Sequence, residues 1–208
     1  VEIPKVLLIN IKSVIDVISA RGVFKPNEMT IVGKLYDIYS GKRRVIDSEG
    51  FRANVGIILT NDLGRVFWAR RWGMDAWQFP QGGIKKDEPP KIAMYRELKE
   101  ETGLDKKHVE VIDFTDNWLK YWLPKRFIRH NTYPLCIGQK QIWYLLKLVV
   151  DESYVNLTYS DEPEFDKWKW VDLCDPINEV VSFKRNVYEK AIKQFSPFII
   201  STGFRKEY

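Results

Sequence analysis

Hydrophobic and polar positions change their period several times along the chain, and each period predicts an element. Residues 54–60 are a β-branched apolar run, residues 61–64 have the composition of a turn, and residues 65–70 alternate polar with apolar side chains. Together these segments predict a β-hairpin. Residues 141–150 are strongly apolar, which is typical of a strand in the centre of a sheet. Shorter strands are predicted at residues 77–79, 109–114, 118–122 and 167–171.

Two segments have the pattern of a helix. The first follows Asp87 and Glu88, begins at a proline pair and ends at Gly103, because proline suits the first helical turn and glycine suits a left-handed end. The second begins at Ser182, a good N-terminal cap, and runs to about Gln194. Its apolar residues recur at steps of four, at Phe183, Val187, Ala191 and Phe195. The order of elements predicts an α/β fold, an α/β/α sandwich with a mixed sheet and one helix on each side.

An unusual group of charges lies on the first predicted helix. Glu97, Glu100 and Glu101 are spaced i, i+3 and i+4, which places three carboxylates side by side on one helical face. Like charges at this spacing destabilise a helix by roughly 0.2–0.5 kcal/mol per pair. A divalent cation would remove that penalty, because hard cations bind oxygen ligands. From these residues alone a second interpretation is open, in which the face is solvated, Arg96 pairs with Glu100 and no metal binds.

The residues around this helix resemble the sequence motif of the Nudix hydrolase family. Five residues separate Gly82 from Glu88, seven separate Glu88 from Arg96, and residues 96–104 read RELKEETGL, so every defined position of the motif is filled. The resemblance implies the same α/β/α sandwich, a loop–helix–loop that binds divalent metal, and hydrolysis of a nucleoside diphosphate linked to another group. It also implies a salt bridge between Arg96 and Glu88 that orients the metal-binding glutamates.

The cofactor that the resemblance implies is Mg²⁺, for which Mn²⁺ or another divalent cation could substitute. Such an ion polarises phosphoryl oxygens and lowers the pKa of bound water. Glu164 is an added candidate ligand from outside the helix, and its alternative is an exposed loop carboxylate. The implied metal ligands are the main-chain carbonyl of Gly82 and the side chains of Glu97, Glu100, Glu101 and Glu164. The implied catalytic residues are Arg96, Glu97, Glu100 and Glu101.

The sequence on both sides of this helix resembles one branch of the family. The enzymes of that branch remove pyrophosphate from the 5′-triphosphate end of bacterial messenger RNA and so start its decay. The matches cover about residues 45–195 and include residues 77–83 and 180–185. By this resemblance Arg71 and Phe183 hold an RNA base between them. The substrate-binding residues that the branch implies are Arg52, Arg70, Arg71, Tyr121, Val181, Phe183 and Lys184.

The chemistry of these side chains suits RNA. Guanidinium groups bind phosphate oxygens, and a base stacked on an aromatic ring contributes on the order of 1–3 kcal/mol. A basic and aromatic patch combines Lys120, Lys125, Arg126 and Arg129 with Tyr121, Trp122 and Phe127. Two other functions stay open: hydrolysis of dinucleoside polyphosphates such as diadenosine tetraphosphate, and a catalytically silent module that binds RNA ends or a partner protein.

Composition narrows the classes of protein further. The chain of 208 residues has a net charge of +5, which suits a polyanionic partner. Cys136 and Cys174 lie among apolar neighbours and are predicted to be buried free thiols, which fits a reducing compartment; His108 and His130 are predicted to be surface or capping residues. No apolar run reaches the roughly 18–20 residues of a membrane span. We therefore expect a cytoplasmic protein that binds no membrane, and the family resemblance implies that its partner is 5′-triphosphorylated RNA and not DNA.

Residues 1–44 form a separate compositional unit, which ends in the basic cluster at residues 42–44. We predict two parts, an N-terminal extension of unknown role over residues 1–44 and a Nudix hydrolase domain over residues 45–208. Three interpretations of the extension are open: an amphipathic docking helix, a basic arm for RNA, and a stretch that is seldom translated. The last follows because the sequence from Val45 resembles the start of the family branch and a valine codon can begin a bacterial protein.

Overall fold

The computed structural model describes residues 45–130 and 134–203, and the predictions for residues 1–44 lie outside the described residues. The strands of this part are β1 (Phe51–Thr60), β2 (Val66–Arg71), β3 (Trp77–Gln78), β4 (Gln81–Gly83), β5 (Val109–Phe114), β6 (Leu119–Trp122), β7 (Gly138–Leu148) and β8 (Phe165–Val171). Its α-helices are α1 (Pro90–Thr102), α2 (Asp175–Glu179) and α3 (Arg185–Gly203). The strands predicted from sequence are confirmed to within three residues at each end, whereas β4 was expected to be only a turn.

The sheet is built around a parallel pair, β1 and β7. Their register runs from Phe51 opposite Gly138 to Thr60 opposite Lys147. The strand order is β3-β2-β1-β7-β5, with β8 on β2, β4 on β1 and β6 on β7, and these other pairings are antiparallel. The predicted mixed sheet is therefore confirmed. Since β4 pairs with Asn54, Val55 and Gly56 of β1, the glycine turn is fixed against the central strand.

Side chains alternate between the two faces of the sheet, and a helix covers each face. Ile57 of β1 belongs to the core that includes Met94 and Leu98 of α1. Ile58, the next residue, belongs to the core on the other face, which includes Tyr188 and Phe195 of α3. The predicted α/β/α sandwich is confirmed, and the short helix α2 adds Ile177 to the core beside α3.

The last helix differs from its prediction at both ends. Residues Ser182–Lys184 form a 3₁₀ turn, and α3 begins at Arg185. This tighter turn places Lys184 in the interior, where its Nζ lies 3.2 Å from the Oε1 atom of Gln78. The helix also continues past Pro197. Proline removes one backbone donor, and the Oγ atom of Ser196 donates a hydrogen bond of 3.2 Å to the carbonyl of Lys193 instead.

The cysteines are less buried than expected, whereas the histidines match their prediction as surface or capping residues. Both cysteines are free, as predicted, but Cys174 is exposed and Cys136 is only half-buried, because Cys174 lies at the surface end of α2. His108 has the predicted capping role, since its Nδ1 accepts a hydrogen bond of 2.9 Å from the N–H of Asp105. No helix in the described part of the chain has the length and apolar character that a membrane crossing requires.

Close packing at the centre of the sheet generates a stability prediction. A Cβ atom on Gly56 would lie 2.6 Å from the indole of Trp143, so we expect Gly56→Ala to reduce the free energy of unfolding by about 1–3 kcal/mol. Urea denaturation measures this change. Trp143→Phe removes part of the indole, so the double variant should lose less stability than the two single variants summed. Strict additivity would contradict the clash.

Candidate active site

Helix α1 is fixed at both ends and along one face, which sets the direction of its glutamates. Pro90 is the first residue of the helix, and Gly103 ends it in the left-handed conformation with φ of 73°. The N–H of Gly103 bonds the carbonyl of Lys99 at 3.0 Å. Because Leu98 and other apolar residues bury the opposite face, the remaining face of α1 is directed at the glycine turn of β4. The predicted start and end of this helix are confirmed.

Arg96 connects three glutamates and the glycine turn. Its Nε and Nη2 atoms bind the two carboxylate oxygens of Glu88 at 2.8 and 2.9 Å. Its Nη1 atom donates to Glu97 at 2.6 Å and to Glu100 at 3.1 Å, and Nη2 donates to the carbonyl of Gly83 at 2.8 Å. These five bonds use all five donors of a guanidinium group. The predicted Arg96–Glu88 salt bridge is confirmed.

Glu97 and Glu101 are the buried members of the carboxylate group, with exposed fractions of 9% and 5%. A Cβ atom on Gly82 would fall inside the Glu97 carboxylate, so only glycine allows the turn to approach so closely. The N–H of Gln81 donates a hydrogen bond of 2.9 Å to Oε2 of Glu101. The solvated acidic face is thus wrong for these two residues, although the Glu100 side chain is 47% exposed and pairs with Arg96 as that interpretation expected.

Burial raises the pKa of both buried carboxyl groups. For Glu97 the charge of Arg96 opposes this effect and Glu100 adds to it. The pKa of Glu101 is raised well above its usual value by burial and then by the charges of Glu97 and Glu164, and the Gln81 hydrogen bond opposes the rise. The positive charge that the protein itself places near Glu97 and Glu101 therefore does not offset the cost of ionising both.

The oxygen ligands at this site fit a hard divalent cation whose coordination is completed by water and substrate. No three His, Cys, Asp or Glu side chains of the described residues converge on one point that could hold a metal, because Arg96 binds Glu97 and Glu100. Mg²⁺ is commonly held by one or two carboxylates together with water and phosphate oxygens. Glu97, Glu101 and the backbone at Gly82 meet that requirement without a protein-only cage.

Glu164 reaches the same site from β8. Its Oε1 atom lies 3.2 Å from Nη2 of Arg71, and its carbonyl accepts a hydrogen bond of 2.8 Å from the N–H of Trp72. The register of β2 and β8 shifts between Arg70 and Arg71, which brings residue 164 to the end of the pair. Its charge is one of the causes that raise the pKa of Glu101, and its role as a metal ligand stays a prediction.

Arg70 does not join the other predicted residues. Its Nε and Nη2 atoms bind the two carboxylate oxygens of Asp166 at 2.7 and 3.0 Å. Successive side chains of a strand point to opposite faces, so Arg70 and Arg71 cannot both face the glutamates. The guanidinium of Arg70 instead fixes the segment that carries Glu164, and its contact with substrate stays a prediction.

Short contacts link several of the remaining predicted residues. Arg52 packs against Gly83, where a Cβ atom would fall inside its guanidinium, and its charge opposes the rise in the pKa of Glu97 and of Tyr121 that burial causes. The Phe183 and Tyr121 rings are 5.8 Å apart. Burial and then the charge of Arg71 lower the pKa of Lys184 to about 8. Val181, which is 43% exposed, directly precedes the 3₁₀ turn Ser182–Lys184.

Several buried amides were missed by the sequence analysis. Gln78 accepts a hydrogen bond from Lys184. The N–H of Gln81 donates to Glu101. The side-chain oxygen of Gln81 accepts a bond of 3.3 Å from Nε2 of Gln141. Asn54 lies directly opposite Gln141 in the sheet. The signal that could have found these residues is a polar side chain inside an otherwise apolar strand, since such groups are rarely buried without a partner.

Comparison with known proteins assigns the family. A family model described as the NUDIX domain matches residues 50–191. The chain belongs to the NUDIX family. NUDIX hydrolases use divalent cations, in agreement with the carboxylate site.

Relatives with similar sequences carry one name. The RNA pyrophosphohydrolase of Hahella chejuensis is 56% identical over 155 residues, which cover 74% of this chain and 96% of the relative. The RNA pyrophosphohydrolase of Methylococcus capsulatus is 60% identical over 150 residues, which cover 72% of this chain and 78% of the relative. The NUDIX domain therefore accounts for most of the chain.

Solved structures support the same fold at low sequence identity. The E. coli dihydroneopterin triphosphate pyrophosphohydrolase has a TM-score of 0.56 and 22% identity, and the match covers 68% of this chain and 95% of that one. A C. elegans Ap4A hydrolase has a TM-score of 0.51 and 19% identity, over 72% of this chain and 98% of that one. These likenesses establish the NUDIX sandwich and do not distinguish between substrates.

Burial of Glu101 yields a prediction on stability and metal binding. A carboxyl group whose pKa is raised by folding stabilises the protein only below its unfolded pKa, and this contribution is lost as the pH rises through the folded value. We therefore expect Glu101→Gln to raise the melting temperature of the EDTA-treated protein near pH 7.5 by roughly 2–4 °C. The gain should shrink toward pH 4, and the rise in melting temperature on adding Mg²⁺ should be largely lost.

The control for this measurement is Glu110→Gln, which removes an exposed carboxylate on β5. It should leave both the metal-free melting temperature and the response to Mg²⁺ unchanged. Equal responses of the two variants to pH and Mg²⁺ would contradict the assignment of Glu101.

Proposed function

We propose that the protein hydrolyses the 5′-triphosphate end of RNA to a 5′-monophosphate, with release of pyrophosphate, and that Mg²⁺ is its cofactor. The observation that carries the proposal is the buried pair Glu97 and Glu101 beside Gly82, within a NUDIX domain whose curated relatives at 56–60% identity are named RNA pyrophosphohydrolases. The hydrolase domain would span residues 45–208, act in the cytoplasm and start messenger RNA decay. Its nucleic-acid partner would be RNA and not DNA.

The reaction breaks one phosphoanhydride and consumes one water. The bond between the α- and β-phosphoryl groups is cleaved, the RNA keeps the α-phosphate, and the β- and γ-phosphates leave as pyrophosphate. Negative charge on the triphosphate repels an attacking water, so charge neutralisation and alignment are the main tasks. A bound divalent cation supplies both when it binds phosphoryl oxygens and water.

The residues of the chain hold the reacting groups in place. Glu97 and Glu101 would be the main metal ligands, with the Gly82 carbonyl, Glu100 and Glu164 as further ones. Arg96 fixes the Glu97 carboxylate through a bond of 2.6 Å, and the N–H of Gln81 fixes one oxygen of Glu101. Preorganised ligands of this kind avoid reorganisation during the reaction.

Basic and aromatic side chains near the carboxylates would bind the substrate. Arg52 and Arg71 supply donors for phosphate oxygens. Lys184 lies within electrostatic range of Glu101 and Glu164, so its ammonium group would meet the phosphates near the metal. Phe183 would stack on a base near the 5′ end, with Arg71 on the other side of that base and Val181 at its border. Tyr121 supports Phe183 from the interior.

Loss of one buried carboxylate should separate catalysis from binding. Glu97→Gln keeps the size of the side chain and can still accept a hydrogen bond from Arg96, but it removes the charge that a cation requires. We expect turnover of triphosphorylated RNA to fall at least about a hundredfold. RNA affinity, measured by fluorescence anisotropy, should stay within about threefold. An unchanged rate would refute the catalytic assignment, and it would favour a site elsewhere on the protein.

A direct comparison of substrates tests the reaction itself. Purified protein with Mg²⁺ should release pyrophosphate from a 5′-triphosphate RNA faster, by kcat/KM, than it cleaves diadenosine tetraphosphate. A clear preference for the dinucleotide would replace the proposed substrate with a dinucleoside polyphosphate. Binding of RNA without release of phosphate or pyrophosphate would instead indicate the silent binding module. The Glu97→Gln variant serves as the background control in each assay.

A further inference from the structure

Three aromatic rings form a row that leads away from the buried carboxylates. Tyr121 is 3% exposed, Phe183 is half-buried and Phe127 is 49% exposed. The ring centroid of Phe183 lies 5.8 Å from that of Tyr121 and 5.8 Å from that of Phe127. The Nζ atom of Lys184 lies 6.0 Å from the ring centroid of Tyr121 and is within electrostatic range of Glu101, so Tyr121 is the end of the row that lies toward the reaction centre. Phe127 is its outer end.

The backbone presents Phe127 on a fixed turn. Residues Lys125–Phe127 form a 3₁₀ turn, in which the N–H of Phe127 bonds the carbonyl of Pro124 at 2.8 Å. The preceding residue, Leu123, is tied to the carbonyl of Ile137 by a bond of 2.9 Å. Its side chain packs against the core beside α3. These bonds fix the backbone of the turn, and Phe127 is 49% exposed to solvent.

Positive charge accompanies this ring. The guanidinium carbon of Arg126 lies 5.0 Å from the ring centroid of Phe127. Lys125 and Arg126 are exposed, and within residues 45–130 and 134–203 neither has an acidic partner. An aromatic face together with unpaired cations is the usual composition of a single-strand binding site.

Trp72, another exposed aromatic residue, has different surroundings. Trp72 is 57% exposed, but its N–H bonds the carbonyl of Glu164, and the next N–H, of Gly73, bonds the Asp166 carboxylate at 3.3 Å. The nearby cations Arg70 and Arg71 are paired with Asp166 and Glu164 on this side, whereas Lys125 and Arg126 have no acidic partner among the described residues. An RNA strand that leads away from the carboxylate site should therefore pass over Phe127 and not over Trp72.

We propose that Phe127 and Arg126 form a second stacking site, which binds the base on the 3′ side of the one held at Phe183. The proposal rests on the proposed function and adds the course of the RNA across the surface. Phe183 and Phe127 are then two adjacent aromatic rings on which two consecutive bases stack. Arg126 and Lys125 contact the phosphates between these nucleotides.

A length series of substrates tests this site. Steady-state kinetics would use 5′-triphosphate RNAs of two to five nucleotides with the wild-type protein and with Phe127→Leu, which keeps apolar packing against Phe183 but has no aromatic face. For the wild type, one added nucleotide should lower KM by roughly 5- to 100-fold, the range expected of one stacked base. Phe127→Leu should lose most of that step, while its kcat and its KM for shorter RNAs stay within about twofold.

Two further variants make the result specific. Phe127→Tyr keeps the aromatic face and should restore the step in KM. Trp72→Leu removes an exposed aromatic side chain on the side where the arginines are paired and should behave as the wild type. An equal rise in KM for every RNA length in Phe127→Leu would overturn the proposal, because the ring would then serve only to position Phe183.

The bound base can also be observed directly. An RNA with 2-aminopurine at the position next to the base held at Phe183 should lose fluorescence on binding to the wild type and to Phe127→Tyr, but not to Phe127→Leu. Identical quenching by Leu and Phe at residue 127 would overturn the stacking site. If the wild type releases pyrophosphate from none of the RNAs, the proposed function itself fails. If it is active at every length with the same KM, only the second stacking site fails.

Discussion

The burial of two like charges side by side is the constraint on which the rest of the structure depends. Glu97 and Glu101 are almost fully covered, and burial raises the pKa of each. Such an arrangement is unfavourable until a cation arrives. Arg96 supplies only part of the compensation, because its five donors are divided among Glu88, Glu97, Glu100 and a backbone carbonyl. The apolar core that α1 forms with one face of the sheet keeps the helix in place despite this cost.

That constraint explains why the glycine turn lies on the central strand. Gly82 must lack a side chain because the Glu97 carboxylate occupies the space, and β4 is held to β1 over three residue pairs. Strand β1 in turn pairs with β7 over its whole length, which is the longest register in the sheet. The Glu97 carboxylate is thus set between the main chain at Gly82 and Nη1 of Arg96, and a bidentate salt bridge to Glu88 fixes Arg96. A site with this support suits chemistry in which a small displacement of a ligand has a large effect on rate.

Local signals in the sequence were sufficient for the frame and for the centre of the site. A proline pair and Gly103 gave both ends of α1, alternation gave the main strands, and the resemblance to the NUDIX motif implied the salt bridge between Glu88 and Arg96. Long-range packing decided the rest. The pairing of Arg70 with Asp166 depends on the register of β2 and β8, and the burial of Lys184 depends on Gln78 from another strand. Neither distance along the chain nor composition contains that information.

The central claim is that Glu97 and Glu101 hold a divalent cation against the triphosphate. Anomalous diffraction from crystals of the protein grown with Mn²⁺ and a non-hydrolysable 5′-triphosphate RNA tests it most directly. The account predicts a manganese peak within about 2.2 Å of carboxylate oxygens of both residues, and a phosphate oxygen bound to the same ion. Manganese bound elsewhere, with both carboxylates still turned to Arg96 and Gln81 in an active protein, would contradict it.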